Sequence, residues 1–284
     1  MTVLAGLRLA SPVLVAAGCG GTGRELAAYG ALEALGAFTT RTITLDSRRG
    51  GPVPRLLETP SGLLHATGLP NPGVDGFLAT ELPWLLQQRA RVVVSVAARS
   101  LGELAELARR LGTAPGVSAV EVNVSPPDTG PEPELMSARE PFQVGAAVAA
   151  VERELPRGVP VLAKLRPDAV RVVEAARAAV EAGAQALVVG QALPASMPDG
   201  RAAGLSGPAV GPLALRCLVE VLEAVDVPVV AGGGVATVAD VRARLALGAV
   251  AVQVGAALLH DPTTAARLVA ALDPDTTSEE TPDR

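Results

Sequence analysis

The most constraining feature of this sequence is a series of short apolar runs that alternate with segments of helical period. Each run is continuously apolar and does not alternate between apolar and polar positions. A strand with this pattern is buried on both faces, which is typical of parallel sheets covered by helices. The eight runs span residues 13–17, 37–42, 92–97, 119–124, 159–165, 186–189, 228–231 and 250–254.

Helical candidates with the apolar spacing of amphipathic helices follow the runs, such as 24–35, 101–111, 144–154, 170–182, 212–225, 238–246 and 263–272. Eight β-then-α units in about 260 residues predict an α/β chain that closes into a (β/α)8 TIM barrel. An open doubly wound sheet is the competing fold, but it usually has fewer strands. Gly183 and Gly248 follow helical segments and lead directly into the next run, as helix-ending glycines do. Residues 3–9 predict a short N-terminal β-hairpin over the bottom of the barrel.

Composition limits the classes of function. The chain has 284 residues, a net charge of −5 and a hydrophobic content of 49%. The arginines are scattered and aromatics are scarce, so neither a basic nucleic-acid face nor a base-stacking surface is expected. We expect no signal peptide and no membrane span, which makes the cytoplasm the default location. The two cysteines, Cys19 and Cys217, have no metal-ligand spacing, so we predict no metal site.

Two connections are too long to be plain turns, residues 46–75 and 125–141, and both are rich in Gly and Pro. Both follow predicted strands, so we expect them to be lid or substrate loops on the catalytic face. Residues 191–206 form a third, shorter excursion. Residues 1–273 are expected to be one domain, and the acidic tail 274–284 to be disordered.

Three scarce polar residues lie at the ends of strand-like segments. Lys164 is the single lysine among 24 basic residues, and Asn71 and Asn123 are the two asparagines. An ammonium group is a compact charge on a flexible stem, which Arg does not replace at a tight site. These three residues are therefore candidates for a functional site.

Two glycine-containing segments predict a phosphate site. Gly232-Gly233-Gly234 follows the seventh predicted strand, and Gly255-Ala256 follows the eighth. In (β/α)8 barrels these two loops commonly bind a phosphate through backbone N–H groups. The ligand is then a nucleotide-like cofactor or a sugar phosphate.

With these motifs, residues 3–272 resemble the dihydroorotate dehydrogenase family, whose members are FMN enzymes on a (β/α)8 barrel. The matching segments are LASPV at 9–13, AAG at 16–18, TRTITL at 40–45, ETPSG at 58–62, GLPNPG at 68–73, EVNVS at 121–125, AKL at 163–165, GLSGP at 204–208 and the two phosphate loops. The resemblance is to the soluble class I branch, because we expect no N-terminal membrane-associating extension like that of the other branch.

The resemblance implies roles for individual residues. Lys164 would reach the N1/O2 edge of the flavin and stabilise its anionic reduced form. Asn123 would lie where flavin and substrate meet, and Asn71 in the loop over the substrate. Cys19 stands where the family often has Thr, which favours a small turn residue over a nucleophile. The implied cofactor-binding residues are Ala17, Gly18, Thr40, Asn123, Lys164, Gly207, Gly233, Gly234, Gly255 and Ala256.

The substrate half of the motif departs from the family. The family reads Asn-x-Ser-Cys-Pro-Asn, or has Ser in place of Cys, and that fourth residue removes the C5 proton while hydride passes to flavin N5. Here the segment is NVSPPD at 123–128, so Pro126 occupies the position of the base and Asp128 that of the last Asn. Pro126 cannot carry a proton.

Further substitutions follow the same pattern. His65 stands for a substrate-contacting Asn, Arg41 for a Lys, and Gly190-Gln191 for an Asn-Thr pair. The candidate replacement bases are His65, Ser125 and Asp128, and the candidate substrate ligands are Arg41, His65, Asn71 and Asn123.

Several functions remain open from sequence. The leading one is an FMN-dependent oxidoreductase that converts dihydroorotate to orotate in pyrimidine biosynthesis. The same chemistry on another small molecule and a flavin-binding protein without turnover are alternatives. A barrel lyase that uses Lys164 as a Schiff-base amine is a different class of enzyme. By resemblance the partners are a small-molecule substrate, a second copy in a homodimer, and a separate electron-transfer subunit.

Overall fold

Eight parallel strands form a closed barrel in this computed structural model, which describes residues 2–126, 134–138 and 140–273. Neighbours along the chain are neighbours around the barrel, and the last strand pairs with the first. The barrel strands are β3 (Val13–Val15), β4 (Ala37–Thr39), β7 (Val92–Val96), β8 (Val117–Asn123), β9 (Val161–Leu165), β10 (Ala186–Val189), β13 (Val229–Ala231) and β14 (Ala251–Val254). The predicted (β/α)8 fold is confirmed, and so is the N-terminal hairpin, formed by β1 (Thr2–Leu4) and β2 (Leu7–Leu9).

Helices cover the outside of the barrel. They are α1 (Arg24–Ala27), α2 (Gly73–Gly76), α3 (Leu82–Gln87), α4 (Leu101–Gly112), α5 (Pro141–Glu152), α6 (Val172–Glu181), α7 (Gly211–Ala224), α8 (Val238–Ala246), α9 (Ala256–His260) and α10 (Thr264–Leu272). Helix α8 begins at the predicted residue because the Thr237 side chain accepts a hydrogen bond from the backbone N–H of Asp240 at 3.2 Å. The short helices α2 and α3, joined by the π-helix Phe77–Glu81, were missing from the predicted set.

The predicted helix at 24–35 is wrong in extent. Helix α1 ends at Ala27, and a separate 3₁₀ turn covers Leu32–Ala34. Gly30 lies between them, and a Cβ at this position would lie 2.9 Å from Cβ of Ala266 on α10. The helix therefore ends before Gly30, the residue at which the chain passes close to a neighbouring helix.

The inside of the barrel is filled in layers, as expected when alternate strands contribute alternate residues. The lowest layer contains Ala37, Ala119, Ala186 and Ala251, and the next contains Leu14, Val93, Leu162 and Val230. Leu4 and Leu9 of the hairpin pack below them. The third layer, which we call the polar layer, lies two residues further along the same strands as the first and contains Thr39, Glu121, Val188 and Gln253.

Two of the three excursions predicted as loops, residues 46–75 and 191–206, form a second sheet over the mouth of the barrel. Much of the third, residues 127–133 and 139, lies outside the described residues. Strands β5 (Leu56–Thr59) and β6 (Gly62–His65) come from the connection after β4, and β11 (Leu193–Ser196) and β12 (Ala202–Ser206) from the connection after β10. They pair antiparallel in the order β11-β12-β6-β5. We call this four-stranded unit the capping sheet. It places residues of two distant excursions beside the carboxyl ends of the barrel strands.

Candidate active site

A cavity of about 1120 Å³ lies between the capping sheet and the carboxyl ends of the barrel strands. Ligand pockets typically measure about 300–1,000 Å³, so this cavity has room for a cofactor and a small substrate together. The predicted site residues that line it are Ala17, Gly18, His65, Asn123, Lys164, Gly207, Gly233, Gly234, Gly255 and Ala256.

Lys164 forms part of the cavity floor. It lies near the end of β9 and is 4% exposed. Its Nζ donates a hydrogen bond to Oε1 of Gln253 at 2.8 Å and lies 3.5 Å from Oε1 of Glu121. An ammonium group fixed at the floor can stabilise negative charge that develops on a ligand above it.

Asn123 is held beside this floor by a network of side chains. Its Nδ2 donates to Oγ1 of Thr42 at 3.3 Å, and its Oδ1 accepts from Nε2 of Gln191 at 2.8 Å. Thr42 and Gln191 also line the cavity. The Gln191 position, where the family has a polar pair, is therefore in contact with the predicted substrate residue Asn123.

The first predicted phosphate loop lies beside Gly207 at one end of the cavity. Gly207, Gly233 and Gly234 have φ of 93°, 83° and 68°, a region that favours glycine. Among the described residues, no hydrogen bond takes the backbone N–H of Gly233 or Gly234. The guanidinium of Arg244, which is 5% exposed, donates to the carbonyl oxygen of Gly233 at 3.0 Å and fixes the loop from behind. This end of the cavity thus offers fixed amide donors to an anion.

His65 enters the cavity from the capping sheet. It ends β6 and pairs with Gly204 of β12, where a Cβ would lie 2.6 Å from Cε1 of the His65 ring. Burial lowers the pKa of His65 below its ordinary value near 6.5. No hydrogen bond to its ring is present in the described part of the chain. A neutral imidazole with a free ring nitrogen can accept a proton.

Cys19 also lines the cavity, close to Gly255. Although Cys19 keeps some exposure, burial raises the pKa of its thiol to about 11, against the lowering effect of Lys164. The thiol is therefore neutral near pH 7 and a poor nucleophile, in agreement with a small turn residue.

Two predicted site residues, Asn71 and Arg41, do not line the cavity. Asn71 accepts hydrogen bonds from the backbone N–H groups of Thr44 and Gly73 at 3.2 and 2.9 Å, so it fixes its own loop. Arg41 donates to the carbonyl oxygen of Pro70 at 3.3 Å and lies 3.6 Å from Glu81.

Two further predicted residues, Thr40 and Ser125, do not line the cavity either. Thr40 accepts a hydrogen bond from the backbone N–H of Ser95 at 3.2 Å, which ties β4 to β7. Ser125 is buried beside Asn123, whose Oδ1 accepts from the Ser125 N–H at 3.4 Å. Asp128 and the tail 274–284 lie outside the described residues.

Two residues of the polar layer beneath Lys164 were missed by sequence reasoning. Glu121 and Gln253 interrupt the apolar runs of the fourth and eighth predicted strands, and both are at most 2% exposed. Gln253 Nε2 donates to Oε2 of Glu121 at 2.6 Å across the barrel. The sequence could have identified both residues, because each is a polar residue inside a strand predicted to be buried on both faces. A buried polar group needs a hydrogen-bond partner, so such residues are expected to meet other polar groups.

Comparison with known proteins agrees with this arrangement. The family model described as dihydroorotate dehydrogenase matches residues 1–274. This chain belongs to the dihydroorotate dehydrogenase family. The resemblance inferred from sequence is therefore confirmed.

The similar family members include proteins named "Dihydroorotate dehydrogenase B (NAD(+)), catalytic subunit". The one from Desulforudis audaxviator is 41% identical, with 95% of this chain and 90% of the relative covered. Those from Anoxybacillus flavithermus and Pelobacter propionicus are each 38% identical, with 95% and 96% of this chain and 88% and 92% of the relatives covered. No helix in the described ranges has the length and apolar character needed to cross a membrane.

Proposed function

We propose that this protein is an FMN-dependent oxidoreductase that oxidises dihydroorotate to orotate. The observation that carries the proposal is the pairing of Lys164 on the cavity floor with the free amides of Gly233 and Gly234 at one end. A cation beside the ring stabilises the anionic reduced form of a flavin mononucleotide, and backbone amides can bind its phosphate; the cavity offers both. Bound FMN would supply hydride acceptance, which protein side chains alone do not provide.

The backbone amides of Gly233 and Gly234 suit a phosphate for a second reason, which is the lack of space for side chains at these positions. Cβ atoms at Gly233 and Gly234 would lie 2.7 Å from the Ala214 Cβ and from the Gly211 Cα. These loops therefore remain free of side chains, and their amides stay open to a ligand. Gly207 would bind beside them, while Ala17, Gly18, Gly255 and Ala256 line the adjoining wall.

The proton of the reaction needs a separate acceptor. Oxidation of a CH–CH bond removes one hydride and one proton, and Pro126 cannot take the proton. His65 lies in the cavity with a neutral ring, so we infer that it is the base that replaces the family's Cys or Ser. Ser125 and Asp128 are the alternatives at the motif itself. Asn123, fixed by Thr42 and Gln191, would orient the substrate.

The same substitutions favour a second candidate function. His65, Gln191 and Pro126 replace three family residues on the substrate side, while the floor and the phosphate loops are retained. An enzyme that uses the same flavin chemistry on a different small dihydro compound would keep the cofactor-binding residues and change the residues that contact the substrate.

The deciding experiment is anaerobic mixing of the FMN-loaded protein with dihydroorotate and, in parallel, with related dihydropyrimidines. We expect dihydroorotate to bleach the visible absorbance of the flavin. Bleaching by another compound alone would support the second candidate. Yellow protein that none of the compounds reduces would contradict both.

The partner is also a proposal. The curated relatives are named as catalytic subunits of an NAD(+)-linked enzyme. We infer that a separate subunit takes electrons from this chain, which would itself form a homodimer. Reduced protein alone should then pass electrons to NAD+ slowly, and co-purification with the partner should accelerate that step.

A further inference from the structure

The polar layer beneath the cavity floor holds a buried carboxylate that the proposed reaction does not use. Glu121 is 0% exposed and lies on β8, while Gln253 lies on β14 on the opposite side of the barrel. Gln253 joins three groups: it accepts from Lys164 at 2.8 Å and donates to Glu121 at 2.6 Å and to Thr39 at 3.4 Å. The amide thus fixes the ammonium and the carboxylate relative to each other.

The two oxygens of Glu121 are not equivalent. Oε2 accepts the hydrogen bond from Gln253, whereas Oε1 accepts none within the described residues and lies 3.5 Å from Nζ of Lys164. A buried carboxylate with an unmatched oxygen is costly for folding, and an apolar residue of similar volume is often neutral or stabilising in its place. Stability alone therefore does not explain a carboxylate at this position.

The charge of the pair offers an explanation. Among the described residues, Glu121 and Lys164 are the ionisable side chains buried inside the barrel, since the other buried charged residue, Arg244, lies on α8. Charges interact strongly in a water-poor interior. A carboxylate one layer below the ammonium opposes its effect on any ligand that gains negative charge on the floor.

We propose that Glu121 offsets part of the positive charge of Lys164, as a positioning residue that sets the redox potential of the flavin. The inference rests on the proposed function. Lys164 alone would stabilise the anionic reduced flavin and raise its potential. Glu121 lowers that potential, so that the reduced cofactor remains able to pass its electrons to the next acceptor.

The test is the midpoint potential of the FMN-loaded protein, measured by anaerobic dye-linked titration. Glu121→Gln removes the charge and keeps the shape, so the potential should become more positive. We expect the ratio of reduced to oxidised flavin at a fixed ambient potential to rise about tenfold, which is about 30 mV for a two-electron couple. Lys164→Met should shift the potential in the opposite direction.

Two further variants separate charge from packing. Thr39→Val alters the polar layer without changing its charge and should leave the potential at the wild-type value. Glu121→Met removes the same charge with an apolar side chain of similar volume and should also make the potential more positive, so it tests the inference even if Glu121→Gln does not fold.

The outcomes are distinguishable. An unchanged potential in Glu121→Gln would overturn the inference and leave the proposed function intact. A more negative potential would also overturn it, because Glu121 would then act only by holding the ammonium in place. Wild-type protein that binds no flavin would overturn the proposed function and this inference together.

Discussion

At the scale of single residues, the scarce polar types marked important positions but did not separate their roles. Lys164 and Asn123 line the cavity, whereas Asn71 uses its side chain to fix the loop that contains it. An amide can bind a ligand or replace a backbone partner in a turn, and the two uses look the same in a sequence. Only the hydrogen-bond partners distinguish them.

His65 provides a prediction for the pH dependence of the reaction. A base must be neutral to accept a proton, and burial lowers the pKa of His65 below 6.5. The rate of flavin reduction should therefore hold as the pH falls to 6.5 and decline only below it, as His65 becomes protonated. His65→Gln should slow reduction by about 10²–10⁴-fold, the usual contribution of a general base.

Anaerobic stopped-flow measurements across this pH range would check the role of His65. His260→Gln is the matched control, because His260 is an exposed histidine at the cavity rim. The decline in the rate of flavin reduction at low pH should be the same in this variant as in the wild type. If Ser125→Ala removes the activity and His65→Gln does not, the base is Ser125.

Cys19 provides a second prediction at this scale. With a pKa of about 11, its thiolate is rare at pH 8, whereas an ordinary thiol near pKa 8.5 is substantially ionised. Iodoacetamide should therefore alkylate native protein about two orders of magnitude more slowly than denatured protein, as followed by intact-mass spectrometry. Cys217 is fully buried and should also react only after unfolding. Rapid labelling of native protein, absent in Cys19→Ser, would show that the Cys19 thiol is activated.

At the scale of elements, the glycine loop after β13 is held in shape by its surroundings. Arg244 of α8 fixes the Gly233 carbonyl oxygen, and Gly211 at the start of α7 packs against Gly234. The loop can present its amides because two helices hold it and because glycine tolerates its left-handed φ values.

Gly234→Ala tests this loop. Its φ is 68°, and the new Cβ would lie 2.7 Å from Cα of Gly211, so the loop must shift. We expect FMN affinity to fall at least tenfold, as measured by quenching of flavin fluorescence. Gly158→Ala is the control, since its φ is 100° but no atom lies within 4 Å of the added Cβ. Both variants should lose about 1–2 kcal/mol of stability to backbone strain, but only Gly234→Ala should lose affinity. Equal affinities would remove this loop from the cofactor site.

At the scale of the whole molecule, the cavity exists because two units face each other. The barrel supplies Lys164 and the glycine loops, and the capping sheet supplies His65 together with residues 56–59. A ligand in the cavity touches both units, so its binding should stabilise the folded molecule as a whole.

Calorimetry of protein freed of flavin checks this coupling. FMN at about 100 times its Kd should add about 2.7 kcal/mol to the free energy of unfolding, and Tm should rise with FMN concentration. Riboflavin, which lacks the phosphate, should stabilise less because the amides of Gly233 and Gly234 gain no anion. A Tm that does not respond to FMN would contradict the proposed cofactor.

Much of this molecule was determined locally by the sequence. Continuous apolar runs specified strands buried on both faces, and their number specified a closed barrel. Glycines after the last two strands marked loops that line the cavity, because left-handed backbone and close approach require glycine wherever they occur. These features depend on a few neighbouring residues, so they can be recognised without knowing the rest of the fold.

Tertiary structure decided the remainder. Glu121 and Gln253 are 132 positions apart, and their contact depends on closure of the barrel, which brings opposite strands within reach of one side chain. The pairing of β6 with β12, which places His65 at the cavity, likewise joins two excursions that the sequence presents as separate loops. Alternation along a strand tells which side chains point inward, but only closure determines which of them meet.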